Sequence, residues 1–293
     1  MPSLKSHPLA APALMVLSGA TMYVGASLGV LLFEYIPPTG VAWLRVAASA
    51  VILVALIRPG RQAWTGRPMV LAGTFGIVTA LMNISFYEAI ARLPLGTAVA
   101  IEFLGPIAVV AAESRSARGW VSLLAALAGV VLIADVQFAA QPLGIAFALA
   151  AAACWAGYVI LGKVVAQSGN SLDSLAVGWA ISAVVTAPLL IVIVRGWHSP
   201  DGLGPAVWLV PAMVLGLAVL SSVIPYALDQ VMLRLVGRAR FALLLALLPV
   251  SAVLVGFAAL GQVPTGPELF GIALVVVALV ISDRRVDAIS EPT

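Results

Sequence analysis

The chain is a succession of apolar runs, each about as long as the ~20 residues that cross a bilayer as a helix, separated by short polar turns. The runs cover 9–32, 39–57, 69–91, 94–112, 118–135, 142–163, 173–194, 206–230, 238–260 and 266–282. Such a pattern leaves few folds open. Hydrocarbon offers a backbone N–H or C=O no partner outside its own element, so each run must close its hydrogen bonds internally as an α-helix. A transmembrane barrel would instead alternate apolar and polar residues. The expected fold is an all-α membrane protein of ten transmembrane helices. Composition agrees: 62% of residues are hydrophobic and only 9% charged, against roughly a quarter charged in a soluble domain. The first run follows Lys5 and extends from Leu9 to Phe33. That exceeds the ~7–15 apolar residues of a signal peptide and reads as an uncleaved span.

Lys and Arg set the expected orientation. With the N-terminus in the cytoplasm, Lys5, Arg58, Arg61, Arg67, Arg115, Arg118, Lys163, Arg234, Arg238, Arg240, Arg284 and Arg285 all fall on the cytoplasmic side, twelve of fifteen basic residues. Arg92 and Arg195 fall outside and Arg45 lies within a span. The bias follows the positive-inside rule, so both termini are expected in the cytoplasm of a multi-pass protein of the bacterial inner membrane. Basic residues spread along helix ends, without interleaved aromatics, mark topology rather than a nucleic-acid surface.

The segment from Leu93-Pro94-Leu95-Gly96 to Pro106 matches Val236-Gly237-Arg238-Ala239 to Pro249 at a constant offset. Splitting the chain after the fifth span gives two five-helix repeats, 9–135 and 142–282. An odd number of spans inverts the second repeat relative to the first, which relates the halves by a pseudo-two-fold axis in the membrane plane, an arrangement that recurs in transporters.

Charges inside hydrocarbon cost about 2.5–3.5 kcal/mol each by insertion scales and normally face a cavity or a partner. Arg45, Glu102 and Asp229 qualify. Counted from the outer ends of spans two and four, Arg45 and Glu102 differ in depth by only ~3 Å at a rise of 1.5 Å per residue. An ion pair between them is expected, either as a structural staple or as proton-coupling machinery. Asp229, near the cytoplasmic end of span eight, is either an interfacial acid paired with Arg234 or Arg238 or a proton site. Glu88 and Arg92 are one helical turn apart and read as an ordinary surface pair.

Tyr23, Asn83, Trp155, Tyr158, Ser221 and Ser222 fall near the midplane of spans one, three, six and eight. Singly, such residues serve as helix-packing glue as readily as ligand contacts. Together at one depth they describe a polar cavity whose hydroxyl and amide groups suit a zwitterion and whose aromatic faces suit a cation. Pro106, Pro225 and Pro249 each remove a backbone donor and are expected to kink their helices. Gly25 and Gly29 form a GxxxG read as packing within the fold. The lone Cys154, with His7 and His198 far from it in sequence, offers no metal cluster, and there is no HExxH, GxSxG or phosphate-binding glycine loop, so neither cofactor nor metal is expected and the chain does not read as an enzyme.

Gly40-Val41-Ala42-Trp43-Leu44-Arg45, Met82-Asn83, Leu93-Pro94-Leu95-Gly96, Ala100-Ile101-Glu102-Phe103-Leu104-Gly105-Pro106, Ala153-Cys154-Trp155-Ala156 and Leu220-Ser221-Ser222-Val223-Ile224-Pro225-Tyr226 together resemble the drug/metabolite transporter superfamily, and more narrowly its EamA-type ten-helix members that export threonine and homoserine. The resemblance implies export of an amino acid or related small metabolite from the cytoplasm, driven by proton entry. Other cargoes suit an aromatic-lined pocket as well: aromatic amino acids, cationic drugs or nucleotide precursors. A non-transporting membrane scaffold or an intramembrane enzyme is the rival from another class.

Overall fold

The computed structural model describes residues 10–114, 117–138, 141–167, 171–197, 206–225, 228, 244–245 and 247–283. Its helices are α1 (Ala10–Leu32), α2 (Pro38–Ile57), α3 (Gly66–Ile90), α4 (Leu95–Glu102), α5 (Leu104–Ser114), α6 (Ala117–Phe138), α7 (Pro142–Gln167), α8 (Ser171–Val185), α9 (Leu190–Gly196), α10 (Ala206–Ala218), α11 (Leu247–Leu260) and α12 (Gly266–Asp283). No strand occurs among the described residues. The chain is an all-α membrane protein. Four helices are long and apolar enough to cross a bilayer alone, α8 and α9 form a fifth, bent crossing, and five shorter apolar helices occupy the remaining expected positions.

Where helices start and stop follows from local chemistry. Pro37 and Pro38 open α2, because proline's fixed φ and missing N–H suit a first turn. The helix closes at Arg58, which takes a left-handed conformation (φ 52, ψ 60) and donates its N–H to Val54, with Pro59 beyond unable to continue the ladder. Gly261, at φ +64, ends α11 by returning its N–H to Phe257 while Gln262 returns its own to Gly256, a left-handed cap that glycine adopts without a Cβ penalty.

Two spans expected to be continuous are interrupted. Span four breaks at Phe103 between α4 and α5. Pro106 brings no N–H for the Glu102 carbonyl, and Gly105 lies so close to α7 that a Cβ there would sit 2.1 Å from the Ala152 carbonyl oxygen. Span seven bends by 50° between α8 and α9. The bend holds a 3₁₀ turn, Ala187–Leu189, centred on Pro188, which disfavours helical backbone at the residue before it.

The packing partners define the bundle. α6 lies against α12, α2 against α8 and α4 against α11; α3 contacts α7 and α8, α1 contacts α10 and α11, α7 contacts α4 and α5, and α2 contacts α10. Large side chains such as Trp179, Tyr87 and Phe103 are fully buried between them. Outward-facing Val51, Leu56, Val184 and Val194 are left exposed. A belt of that kind is stable against lipid rather than water.

Candidate functional site

The polar centre begins with a proline. Pro225 lacks the N–H that would close on the Ser221 carbonyl one turn earlier, and the chain before it widens into a π turn over Val219–Val223. The freed Ser221 carbonyl accepts a hydrogen bond from Arg45 Nη2 at 2.9 Å. Arg45 Nη1 donates to Asn83 Oδ1 at 2.6 Å, and Asn83 Nδ2 in turn donates to the Thr79 carbonyl at 2.8 Å, which fixes the amide's orientation. Spans two, three and eight thus converge on one guanidinium. Its Cζ lies 5.8 Å from the centroid of the Tyr87 ring, within cation–π range. Arg45 Nε is buried and has no hydrogen-bond partner among the described residues.

Close helix approach makes this convergence possible. A Cβ on Gly25 would fall 2.2 Å from Ser221 Oγ, and one on Gly29 would fall 2.6 Å from Tyr87 Cε1. The two glycines therefore admit different neighbours to α1 inside the fold. Ser221 Oγ donates to the Met22 carbonyl at 3.1 Å, and Ser49 Oγ donates to Ser222 Oγ at 3.0 Å. Asn83, Ser221, Ser222 and Ser49 are all buried.

The expected ion pair is not made. Glu102 is 8% exposed and forms neither an ion pair with Arg45 nor a hydrogen bond among the described residues. The guanidinium fork is instead turned to Asn83 and to the carbonyl that Pro225 frees. Glu102 remains within electrostatic reach of Arg45, of buried Tyr23 on α1 and of Cys154 on α7. Beside it, Phe103 meets the Trp155 ring edge-on at 4.6 Å between centroids. Tyr158 packs on Phe75 at 4.8 Å. Phe75 precedes Asn83 by eight residues, about 12 Å along α3, so Tyr158 lies two turns away from the Arg45 cluster. Pro225 and Pro249 are buried in their helices, while Pro106 follows the break in span four. Asp229, with Arg234 and Arg238, lies outside the described residues.

Glu88 and Arg92 depart from the surface pair expected of them. Their ion pair, at 2.6 Å, leaves Glu88 only 12% and Arg92 29% exposed. Glu88 Oε1 also accepts from the N–H of Thr39 at 3.0 Å and its hydroxyl at 2.6 Å, and Arg92 stacks 5.2 Å from the Phe147 centroid. Distant elements make the difference, since α2 and α7 close over a pair that spacing alone leaves exposed. Glu268 was not singled out from sequence. It is 2% exposed and accepts from Thr265 N–H and Oγ1, both at 2.8 Å, and from Thr97 Oγ1 at 3.3 Å. Its signal was the capping-box spacing Thr265-Gly266-Pro267-Glu268. Nearby, Gln262 Oε1 accepts from the N–H of Leu95 at 2.9 Å and so caps α4 from the turn that follows α11. Among the described residues no group of three His, Cys, Asp or Glu side chains is arranged to hold a metal ion.

The profile of the EamA-like transporter family matches residues 142–282. A threonine/homoserine exporter RhtA of Escherichia coli K12 is 31% identical over 283 residues, covering 94% of this chain and 92% of its own length. The protein of that name in Salmonella typhimurium SL1344 is 30% identical over 282 residues with the same coverage. A solved crystal structure with 18% identity superposes over 96% of this chain and 98% of its own with a TM-score of 0.59, a likeness of fold.

Proposed function

We propose that this chain, which belongs to the EamA-like transporter family of the drug/metabolite transporter superfamily, is an inner-membrane secondary exporter that moves a threonine- or homoserine-like amino acid out of a bacterial cytoplasm in exchange for protons. The observation that carries this reading is the meeting of Arg45, Asn83 and the Ser221 carbonyl between three apolar spans, in a chain that aligns over 94% of its length with exporters of these amino acids. Charge in hydrocarbon is costly, and ionisable residues retained there mark substrate or ion pathways.

The two halves, 9–135 and 142–282, act as inverted repeats with both termini in the cytoplasm. The packing partners support the repeat: exchanging first for sixth span, second for seventh and so on turns the α1–α10 contact into α7–α3, α1–α11 into α7–α4, and α2–α10 into α8–α3, and returns α6–α12, α2–α8 and α4–α11 to themselves. Halves of this kind alternate by rocking about a shared midplane site. Glu102, buried without a partner among the described residues, is the group that takes up an entering proton, and the break before Pro106 and the π turn before Pro225, with Pro249 at the position in span nine that matches Pro106, are where the rigid halves flex.

Overexpression in a host challenged with growth-inhibitory threonine or homoserine tests the assignment. The expected result is lower intracellular amino acid and restored growth, with Glu102→Gln inserted normally but inactive in proton-driven efflux. Unchanged accumulation of every amino acid tried would point to the scaffold alternative.

A further inference from the structure

Arg45 and Glu102 sit within electrostatic reach of one another yet make no ion pair. Arginine remains charged in any protein environment. A buried guanidinium that has, among the described residues, no carboxylate partner and an unsatisfied Nε is therefore an incomplete site, because a buried donor left unmade costs its full desolvation. The other half of the arrangement is Glu102, whose carboxyl group has no hydrogen bond or ion pair among the described residues. A guanidinium and a carboxyl group that are close but unpaired, each with capacity to spare, match the two poles of an amino-acid backbone.

We propose that a zwitterionic substrate completes this pair, its α-carboxylate on the unpartnered Nε donor of Arg45 and its α-ammonium on Glu102. This deepens the exporter assignment and rests on it. Asn83 and the Ser221 carbonyl each engage one Nη of the fork and fix the guanidinium, while Nε keeps a donor without a partner among the described residues. Recognition is thereby directed at the main-chain groups common to amino acids. It also couples transport to protons: a proton and a substrate ammonium compete for the same Glu102 oxygens, so each excludes the other. When the ammonium arrives from the cytoplasm, the carboxyl proton leaves to that side, and the next proton is taken up from the other.

The test is competition against labelled L-threonine bound to the purified full-length protein, with threoninamide, which lacks the carboxylate, and N-acetylthreonine, which lacks the ammonium. A charge-assisted contact supports a preference of roughly 10- to 150-fold for threonine over each analogue in the wild type. In Arg45→Gln the preference over threoninamide falls toward one while the preference over N-acetylthreonine survives; Glu102→Gln gives the converse. Loss of both preferences in either variant, or retention of both, overturns the site. If Arg45→Gln does not fold, Arg45→Lys decides, with threonine binding weakened severalfold and threoninamide binding unchanged; wild-type threonine affinity there would overturn the proposal. A wild type that carries threonine without these preferences removes the site alone, whereas one that neither binds nor carries any amino acid removes the exporter assignment with it.

Discussion

Replacing Gly76 by alanine should loosen the contact between spans three and seven. An alanine Cβ at this position would lie 2.0 Å from the Gly178 carbonyl oxygen, 2.3 Å from its carbon and 2.7 Å from its Cα. Even favourable C–H···O contacts keep carbon and oxygen about 3.3 Å apart, so α3 and α8 must part by roughly 1.3 Å. Both sides of the contact are backbone, and no rotamer can relieve it. The cost should reach the upper part of the ~1–3 kcal/mol range of overpacked cores. At about 2–4 °C of Tm per kcal/mol for a chain of a few hundred residues, the midpoint falls by about 6–12 °C. Thermal unfolding of the detergent-purified protein measures it. Gly60→Ala is the control: nothing lies within 4 Å of its would-be Cβ and its φ of −65 suits alanine, so its midpoint should hold or rise slightly. A Gly76→Ala protein that melts with the wild type would refute the backbone-to-backbone packing of these two spans.

Three further outcomes follow from the same geometry. Pro225→Ala supplies an N–H for the Ser221 carbonyl and withdraws that acceptor from Arg45, so threonine efflux should fall at least severalfold with little change in Tm, checked by transport and melting on one preparation. Glu88→Ala removes the partner of half-buried Arg92 and both contacts to Thr39, a loss of about 1.5–3 kcal/mol for charged hydrogen bonds; an unchanged unfolding midpoint would mean the pair is solvated. Glu268→Ala removes the acceptor for Thr265 N–H and Oγ1 and for Thr97 Oγ1 at the start of α12 and should lower stability by about 1–3 kcal/mol, whereas Glu268→Gln should recover part of the loss.

Fold class and the positions of the apolar segments were legible because both follow from solvation, which acts on every residue of a run. Breaks were less so. Pro188 stands in the sequence as plainly as Pro225, yet reading the run as a single hydropathy block hid the 50° bend it produces. Depth counting brought Asn83 and Ser221 to the midplane and set Arg45 level with Glu102; in the structure Arg45 meets Asn83 and the Ser221 carbonyl. It did not foresee the partners. The Arg45 fork turns to a main-chain carbonyl that becomes available only because a proline stands four residues later, while depth alone suggested the nearest opposite charge. Tyr158 was assigned to the same level, but its rotation about α7 sends it to Phe75, and rotation cannot be counted from a span end. Ser49 and Tyr87 joined the cluster from positions that apolar periodicity treats as ordinary core.

The most direct measurement is efflux of preloaded labelled threonine from proteoliposomes under an imposed pH gradient. Acidifying the external medium should accelerate efflux, a protonophore should abolish the acceleration, and Glu102→Gln should lose the response to the gradient. Threonine movement no faster than from protein-free liposomes, or efflux indifferent to the gradient in the wild type, would contradict proton-coupled export through this site.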